Sequence, residues 1–214
     1  MRILVINPNT SPVVTARIAR AAEAAAHPRD VVETRAAPFG PSLIVTPADA
    51  AIAEEAVVAL VAGLETRFDG IVLASFGDTA IEAVRARVAC PVVGIARSSF
   101  LAALAFGERF AIVSFSPAVA PSLVEAAERN GLGDRVAMIR VPEASPADHE
   151  RDPDRLRAAL ADLCREVAPD SGGAIVLGGG PLAGMAQTIA SEVPVPVIDG
   201  VAAAMGFLRL ARAA

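Results

Sequence analysis

The sequence predicts an α/β fold of two pseudo-symmetric parallel-sheet lobes, with a site in the cleft between them. Three observations predict it. Short apolar runs alternate with Ala-rich segments of helical length along the chain. The runs are continuously apolar, the pattern of parallel strands covered on both faces. Finally, one half of the chain echoes the other. RILVINPNTSP from residue 2 resembles RFAIVSFSP from 109, DGIVLASFGDT from 69 resembles GAIVLGGGPL from 173, and CPVVGI from 90 resembles VPVIDG from 195. The three pairs keep their order and share nearly one offset, as two related Rossmann-like lobes require. The first lobe is read as 1–96 plus 200–214 and the second as 97–199. Ser75 and Gly179 then become equivalent positions, one on each wall of the cleft.

The elements follow in order. The first strand, about 2–6, is the apolar run of MRILVINPNTS, which reads as a strand and not a signal peptide. Helix 11–26 opens at its end, with Thr10 or Ser11 as the cap. Strand 31–35 and helix 47–65 come next. Ile71, Val72 and Leu73 form the buried centre of strand 70–74, which turns through polar residues into helix 78–88. PVVGI is strand 91–95, followed by helix 98–106. Strand 110–114 leads to helix 117–130, and strand 136–141 to PEASPADHERDP, 142–153, read as a surface connection because it is rich in Pro and charge. Helix 154–168, strand 173–177, helix 182–191, strand 195–198 and helix 200–213 complete the chain. Ligands of such sheets bind beyond the carboxyl ends of the strands, where the polar turns of this sequence fall.

Composition narrows the chemistry. The 214 residues are 54% hydrophobic with a net charge of −5, and no basic run is present. That argues against disorder and against nucleic acid as a partner. No apolar run reaches the roughly 18 residues that span a bilayer, so the expected location is cytoplasmic with no membrane contact. All 19 basic residues are Arg, and Lys, Tyr and Trp are absent. A Schiff-base lysine and a tyrosine general acid are therefore excluded. His27, His149, Cys90 and Cys164 are scattered without ligand spacing, so no metal site is expected.

The turns hold the candidates. In Asn7-Pro8-Asn9-Thr10-Ser11 the helix N-terminus and the Asn amides can hold a carboxylate or imide oxygen; a plain cap explains the residues equally well. Ser75 is a poor base, and a nucleophile only beside a partner base. His27 lies at an Ala-rich helix end, His149 lies in the charged connection, and no G-x-S-x-G surrounds Ser75. A hydrogen-bonding serine is the reading. Asp78 either caps the helix that follows it or points into the cleft, with the cap favoured. Gly178-Gly179-Gly180-Pro181 misses the dinucleotide fingerprint but suits close backbone approach to a small ligand. Arg97 is either an anion binder or a solvated surface residue. Cys90 and Cys164 read as packing residues.

MRILVINPNTS, IVLASFGDTA, CPVVGIA, RFAIVS, AIVLGG and VPVIDGVAAA together resemble the hydantoin and allantoin racemases, of the aspartate/glutamate racemase superfamily. The resemblance runs nearly end to end. It implies two α/β lobes, a cofactor-free site between them, a small-molecule substrate and a homo-oligomer. Family members move an α-proton with two cysteines, one thiolate removing it and the other thiol delivering one to the opposite face. The first family cysteine falls at Ser75, and the second, from an LGC turn, at Gly179. Neither can run that chemistry: a serine alkoxide is too basic to form near neutral pH, and glycine has no side chain. The resemblance also implies that Asn9, Ser42, Ser114 and Gly180 line the site. Pro41 belongs beside Ser42 in the GPS loop, Phe76, Gly77 and Thr79 beside Ser75, Phe115 beside Ser114, and Gly178 beside Gly179. Asp78 or a bound water is left as the acid or base.

The implied function is a cofactor-independent enzyme of racemase type, with altered chemistry, acting on a small carbonyl or carboxylate compound that is hydantoin-like or amino-acid-like. The alternatives are a ligand-binding homologue without turnover, and a lyase, decarboxylase or serine hydrolase on the same fold.

Overall fold

The computed structural model describes residues 1–142 and 153–212. Strands β1 (Arg2–Asn7), β2 (Val31–Ala36), β3 (Gly70–Leu73) and β4 (Val92–Gly94) form a parallel sheet in the order β2-β1-β3-β4. Strands β5 (Phe110–Val113), β6 (Val136–Arg140), β7 (Ile175–Leu177) and β8 (Val197–Asp199) form a second, in the order β6-β5-β7-β8. The two orders are the same, so the internal echo in the sequence is a structural repeat. The helices are α1 (Pro12–Ala25), α2 (Pro47–Ala62), α3 (Ile81–Arg85), α4 (Ile95–Ala103), α5 (Ala120–Arg129), α6 (Pro153–Val167), α7 (Met185–Ile189) and α8 (Gly200–Arg212). Among the described residues no helix is long and apolar enough to cross a membrane.

Continuous apolar strands feed two cores at once, because successive side chains point to opposite faces. Leu4, Ile6, Ile71 and Leu73 face a smaller core with Val57, Val61 and Val84 of α2 and α3. Ile3, Val5 and Val72 face a larger one, with Leu208 of α8, that continues into the second lobe through Phe100, Phe110, Ile112 and Leu160. Phe76, Phe100 and Phe110 form a chain of ring contacts across it, with centroids 5.4 and 5.2 Å apart. Helix α8 returns to pack on α1, α4, β3 and β4. The lobes therefore share a core, and the cleft between them is fixed by packing.

Three elements differ from the sequence reading. Helix 78–88 shrinks to α3 because Asp78 and Ala80 adopt left-handed backbone, with φ of 47° and 67°. Strand 91–95 stops at Gly94, and α4 begins at Ile95 instead of 98 because a carboxylate caps it there: Asp78 accepts from the backbone N–H groups of Ala96 and Arg97, at 3.2 and 3.3 Å. Helix 182–191 is broken by Gly184, at φ 81°, into a 3-10 turn and α7. The expected surface connection lies almost wholly outside the described residues, and His149 with it.

The lobes solve one problem from two chain positions. At the end of β8, Asp199 accepts from Val201 and Ala202 and so caps α8; it also accepts from the N–H of Gly184. The matching residue at the end of β4 is Gly94, and Asp78 supplies the carboxylate instead. Burial pushes both carboxyls up, and the amides that each accepts from oppose the shift.

Candidate functional site

Strands β1 and β3 are neighbours at the centre of one sheet, and β5 and β7 at the centre of the other. The turns after these four strands meet between the lobes, around a cavity of about 290 Å³. That is room for a small ligand.

The β1 turn is held by its own side chains. Asn7 Nδ2 donates to Asn9 Oδ1 and to Thr15 Oγ1, both at 2.9 Å, and Asn9 Oδ1 also accepts from the Ser11 backbone. Ser11 is the N-cap of α1, its hydroxyl accepting from Val14 N. Asn9 is both part of this cap and part of the cavity wall. Thr10 donates through its backbone to the Pro41 carbonyl, which pins the following loop. A capping box, Thr46 with Asp49, then starts α2. Between these two anchors Leu43, Ile44 and Val45 form an apolar wall.

On the β3 turn, the Ser75 and Thr79 hydroxyls share a hydrogen bond of 3.0 Å and both line the cavity. Phe76 and Gly77 line it beside them. The opposite wall is made by Gly178, Gly179, Gly180 and Pro181. Gly179 has φ 135°, a conformation that L side chains rarely adopt, and a Cβ there would lie 2.7 Å from Phe115. Phe115 thus fills the space into which a side chain at 179 would project. At Gly180 a Cβ would lie 3.0 Å from the Ala74 carbonyl, so the two walls touch at this glycine. Each wall is also held by the other lobe: Arg17 of α1 donates to the Pro181 carbonyl at 2.9 Å, and Arg129 of α5 donates to the Gly77 carbonyl at 2.8 Å.

Four of the residues named from sequence are placed away from the cavity wall. Pro41 uses its carbonyl on Thr10, and Ser42 is exposed; the lining starts at Leu43. Ser114 is fully buried and donates to the Gly178 carbonyl, so it holds the glycine turn from behind. Asp78 caps α4 and not α3, and faces a second cavity of about 480 Å³ behind the turn, together with Arg97 and Asn130. It therefore serves neither the helix expected nor the cleft. Asn9, Ser75, Phe76, Gly77, Thr79, Phe115, Gly178, Gly179 and Gly180 line the cleft cavity. Sequence reading missed Leu43 to Val45, Ser122, Glu125 and Arg129, which also line it. The apolar run before the Thr46 cap was a usable signal for the first three; α5 carried none.

The structure gives the thiols no part here. Neither cysteine lines the cavity. Cys164 is buried in the core, and burial pushes its thiol up to about 12. Burial also raises that of Cys90, with the Asp69 charge adding to it and a backbone hydrogen bond opposing. His27 is exposed, its Nδ1 accepting from Arg29 N at 3.2 Å. Among the described residues no group of His, Cys, Asp and Glu is arranged to hold a metal ion.

A model of the Asp/Glu/hydantoin racemase family matches residues 3–208. The chain belongs to this family. Over 209 residues it is 34% identical to a hydantoin racemase of Pseudomonas sp. (strain NS671), covering 97% of this chain and 84% of that one. A hydantoin racemase of Paenarthrobacter aurescens is 33% identical, covering 95% of this chain and 88% of that one. The solved structure of an allantoin racemase from Klebsiella pneumoniae superposes with a TM-score of 0.93 at 34% identity, covering 100% of this chain and 88% of that one. This racemase-family chain thus shares the two-sheet architecture of that allantoin racemase.

The thiols give a direct check. Iodoacetamide at pH 8 should leave Cys164 of the native protein unmodified over hours, because its thiolate is scarce and enclosed. Peptide mass mapping reads this. Rapid native-state alkylation of Cys164 would overturn the reading of it as an inert core residue.

Proposed function

We propose that the chain is a cofactor-independent enzyme of the racemase family that acts on a small carbonyl or carboxylate compound in the cleft, without paired thiols. The observation that carries this reading is the asymmetry of the two walls. One wall presents the Ser75 and Thr79 hydroxyls. The other presents glycine backbone with the Phe115 ring packed against it. Two-base racemisation needs proton-transfer groups on both faces of the carbon. Here the side-chain hydroxyls that could polarise a substrate carbonyl stand on one face, and the facing glycine turn offers backbone alone.

The test is α-proton exchange in deuterated water, with single enantiomers of 5-substituted hydantoins, allantoin, aspartate and glutamate. NMR follows the proton and polarimetry the configuration. The expected result is deuterium uptake with retained configuration for at least one compound, the α-proton passing to water held in the cleft, because Ser75 is too weak a base and Asp78 faces the second cavity. Racemisation in step with exchange would require a proton-transfer group on the glycine wall and would overturn the reading.

A second reading, a binding homologue without turnover, is favoured by one observation. The titratable side chains on the cavity wall are Glu125 and Arg129, both at exposed positions. It predicts a ligand-induced rise in melting temperature with no exchange in any compound.

A further inference from the structure

Helix α5 brings its last turn to the mouth of the cleft, and Arg129 reaches from there across to the first lobe. Its Nη2 donates to the Gly77 carbonyl at 2.8 Å. One point beside the Gly77 Cα measures what converges there. A Cβ built at Gly77 would lie 3.5 Å from Thr79 Oγ1, 3.8 Å from Arg129 Nη2 and 3.8 Å from Ser75 Oγ. Two hydroxyls and a guanidinium therefore surround one small open volume, and glycine at 77 keeps it open.

A guanidinium carries five N–H donors and no acceptor. The Gly77 carbonyl takes one of them and fixes the plane of the fork. A hydroxyl pair that shares one hydrogen bond still has one proton to donate outward. This donor set matches the two oxygens of a carboxylate, which accept bidentately from Arg and singly from hydroxyls. A neutral imide or amide oxygen would use only part of it. The other charged residue of the cavity wall, Glu125, lies one helical turn earlier on α5, so the wall carries no net charge. Any preference for an anion must then come from the local fork and not from a general positive field.

We propose that Arg129 is the specificity-determining residue of the cleft, and that the ligand is a small carboxylate with an apolar substituent. Its carboxylate lies between Arg129 and the Ser75–Thr79 hydroxyls. Its substituent lies against Leu43, Ile44 and Val45. This rests on the reading of the cleft as the ligand site.

The test compares ligands that share one skeleton and differ in charge: N-carbamoyl-leucine, its primary amide, and the closed neutral ring, 5-isobutylhydantoin. Affinities are measured by calorimetry on the wild type, Arg129→Gln and Arg129→Lys. The wild type should bind the carboxylate about tenfold to hundredfold more tightly than the amide or the ring, and the ratio should shrink at high salt. Arg129→Gln should bring the ratio close to one by weakening the carboxylate far more than the amide or the ring; Arg129→Lys should restore part of it. Equal binding of all three ligands by the wild type would overturn the proposal and leave the cleft reading standing. So would an Arg129→Gln variant that weakens all three alike, since Arg129 would then only hold the 75–79 turn. Binding of none of the three by a folded wild type would overturn the proposal together with the reading beneath it.

Discussion

Replacing Gly179 by cysteine is expected to destabilise the protein by about 2–6 kcal/mol, without creating a racemase. Two costs add. The backbone at 179 sits at φ 135° and ψ 142°, in a region essentially reserved for glycine, which costs a side chain about 1–3 kcal/mol. The new Cβ would also lie 2.7 Å from Phe115 Cε1, and overpacking of that kind costs about 1–3 kcal/mol. Phe115 is buried in the core shared by the lobes and borders the cleft cavity, so its ring can yield only toward the ligand space. Ser75→Cys should by contrast be nearly neutral, because it exchanges one oxygen for sulfur at a partly open wall position.

Urea unfolding separates the two costs through a double-mutant cycle. In a Phe115→Ala background the steric part should vanish, so Gly179→Cys should cost about 1–3 kcal/mol less there than in the wild type. Equal costs in both backgrounds would mean that Phe115 is not the obstacle. A neutral Gly179→Cys would mean that the wall accepts a side chain as it stands. The functional consequence follows from the geometry. A thiol at 179 can face the substrate only if both the backbone and Phe115 give way, so the Ser75→Cys/Gly179→Cys pair should remain far below a two-thiol racemase.

The second large effect is expected at Gly94. A Cβ there would lie 2.0 Å from Asp78 Oδ1 and 2.5 Å from its Cγ. In Gly94→Ala the Asp78 carboxylate must therefore leave the amides of Ala96 and Arg97. Losing a cap costs about 0.5–2 kcal/mol. The turn loses its anchor at the same time, although it carries Asp78 and Ala80 at positive φ. The expected total is about 2–4 kcal/mol, or roughly 5–15 °C in Tm for a chain of this size.

The second lobe shows how the loss can be repaired. Asp199 caps the residues two and three positions after it, Val201 and Ala202. An aspartate at 94 would stand in the same relation to Ala96 and Arg97. Glycine at 78 would remove the competing side chain and suit the left-handed backbone there. The double variant Gly94→Asp/Asp78→Gly should recover most of the stability lost in Gly94→Ala. A double variant no more stable than Gly94→Ala would show that the two helix caps are not interchangeable.

Much of this protein was determined by its sequence alone. All eight strands were legible: most are short apolar runs bounded by turn residues, which need no distant partner to be recognised, and the half-polar edge strand VVETRA still opens on two valines. The repeat was legible because both lobes place their polar turns at matching strand ends, so Ser75 and Gly179 emerged as facing positions. The cap of α1 was legible to within one residue, Thr10 or Ser11, because a helix cap acts over three residues; the structure selects Ser11. Tertiary structure decided the rest. Asp78 caps a helix that starts well beyond the one next to it, and only the empty space above Gly94 permits that reach. Ser114 turns inward because the Gly178 carbonyl of another strand's turn lies behind it. Arg129 meets Gly77 from 52 residues away. Nothing within a few residues of these side chains encodes their partners, since each contact exists only once the two lobes have packed on their shared core.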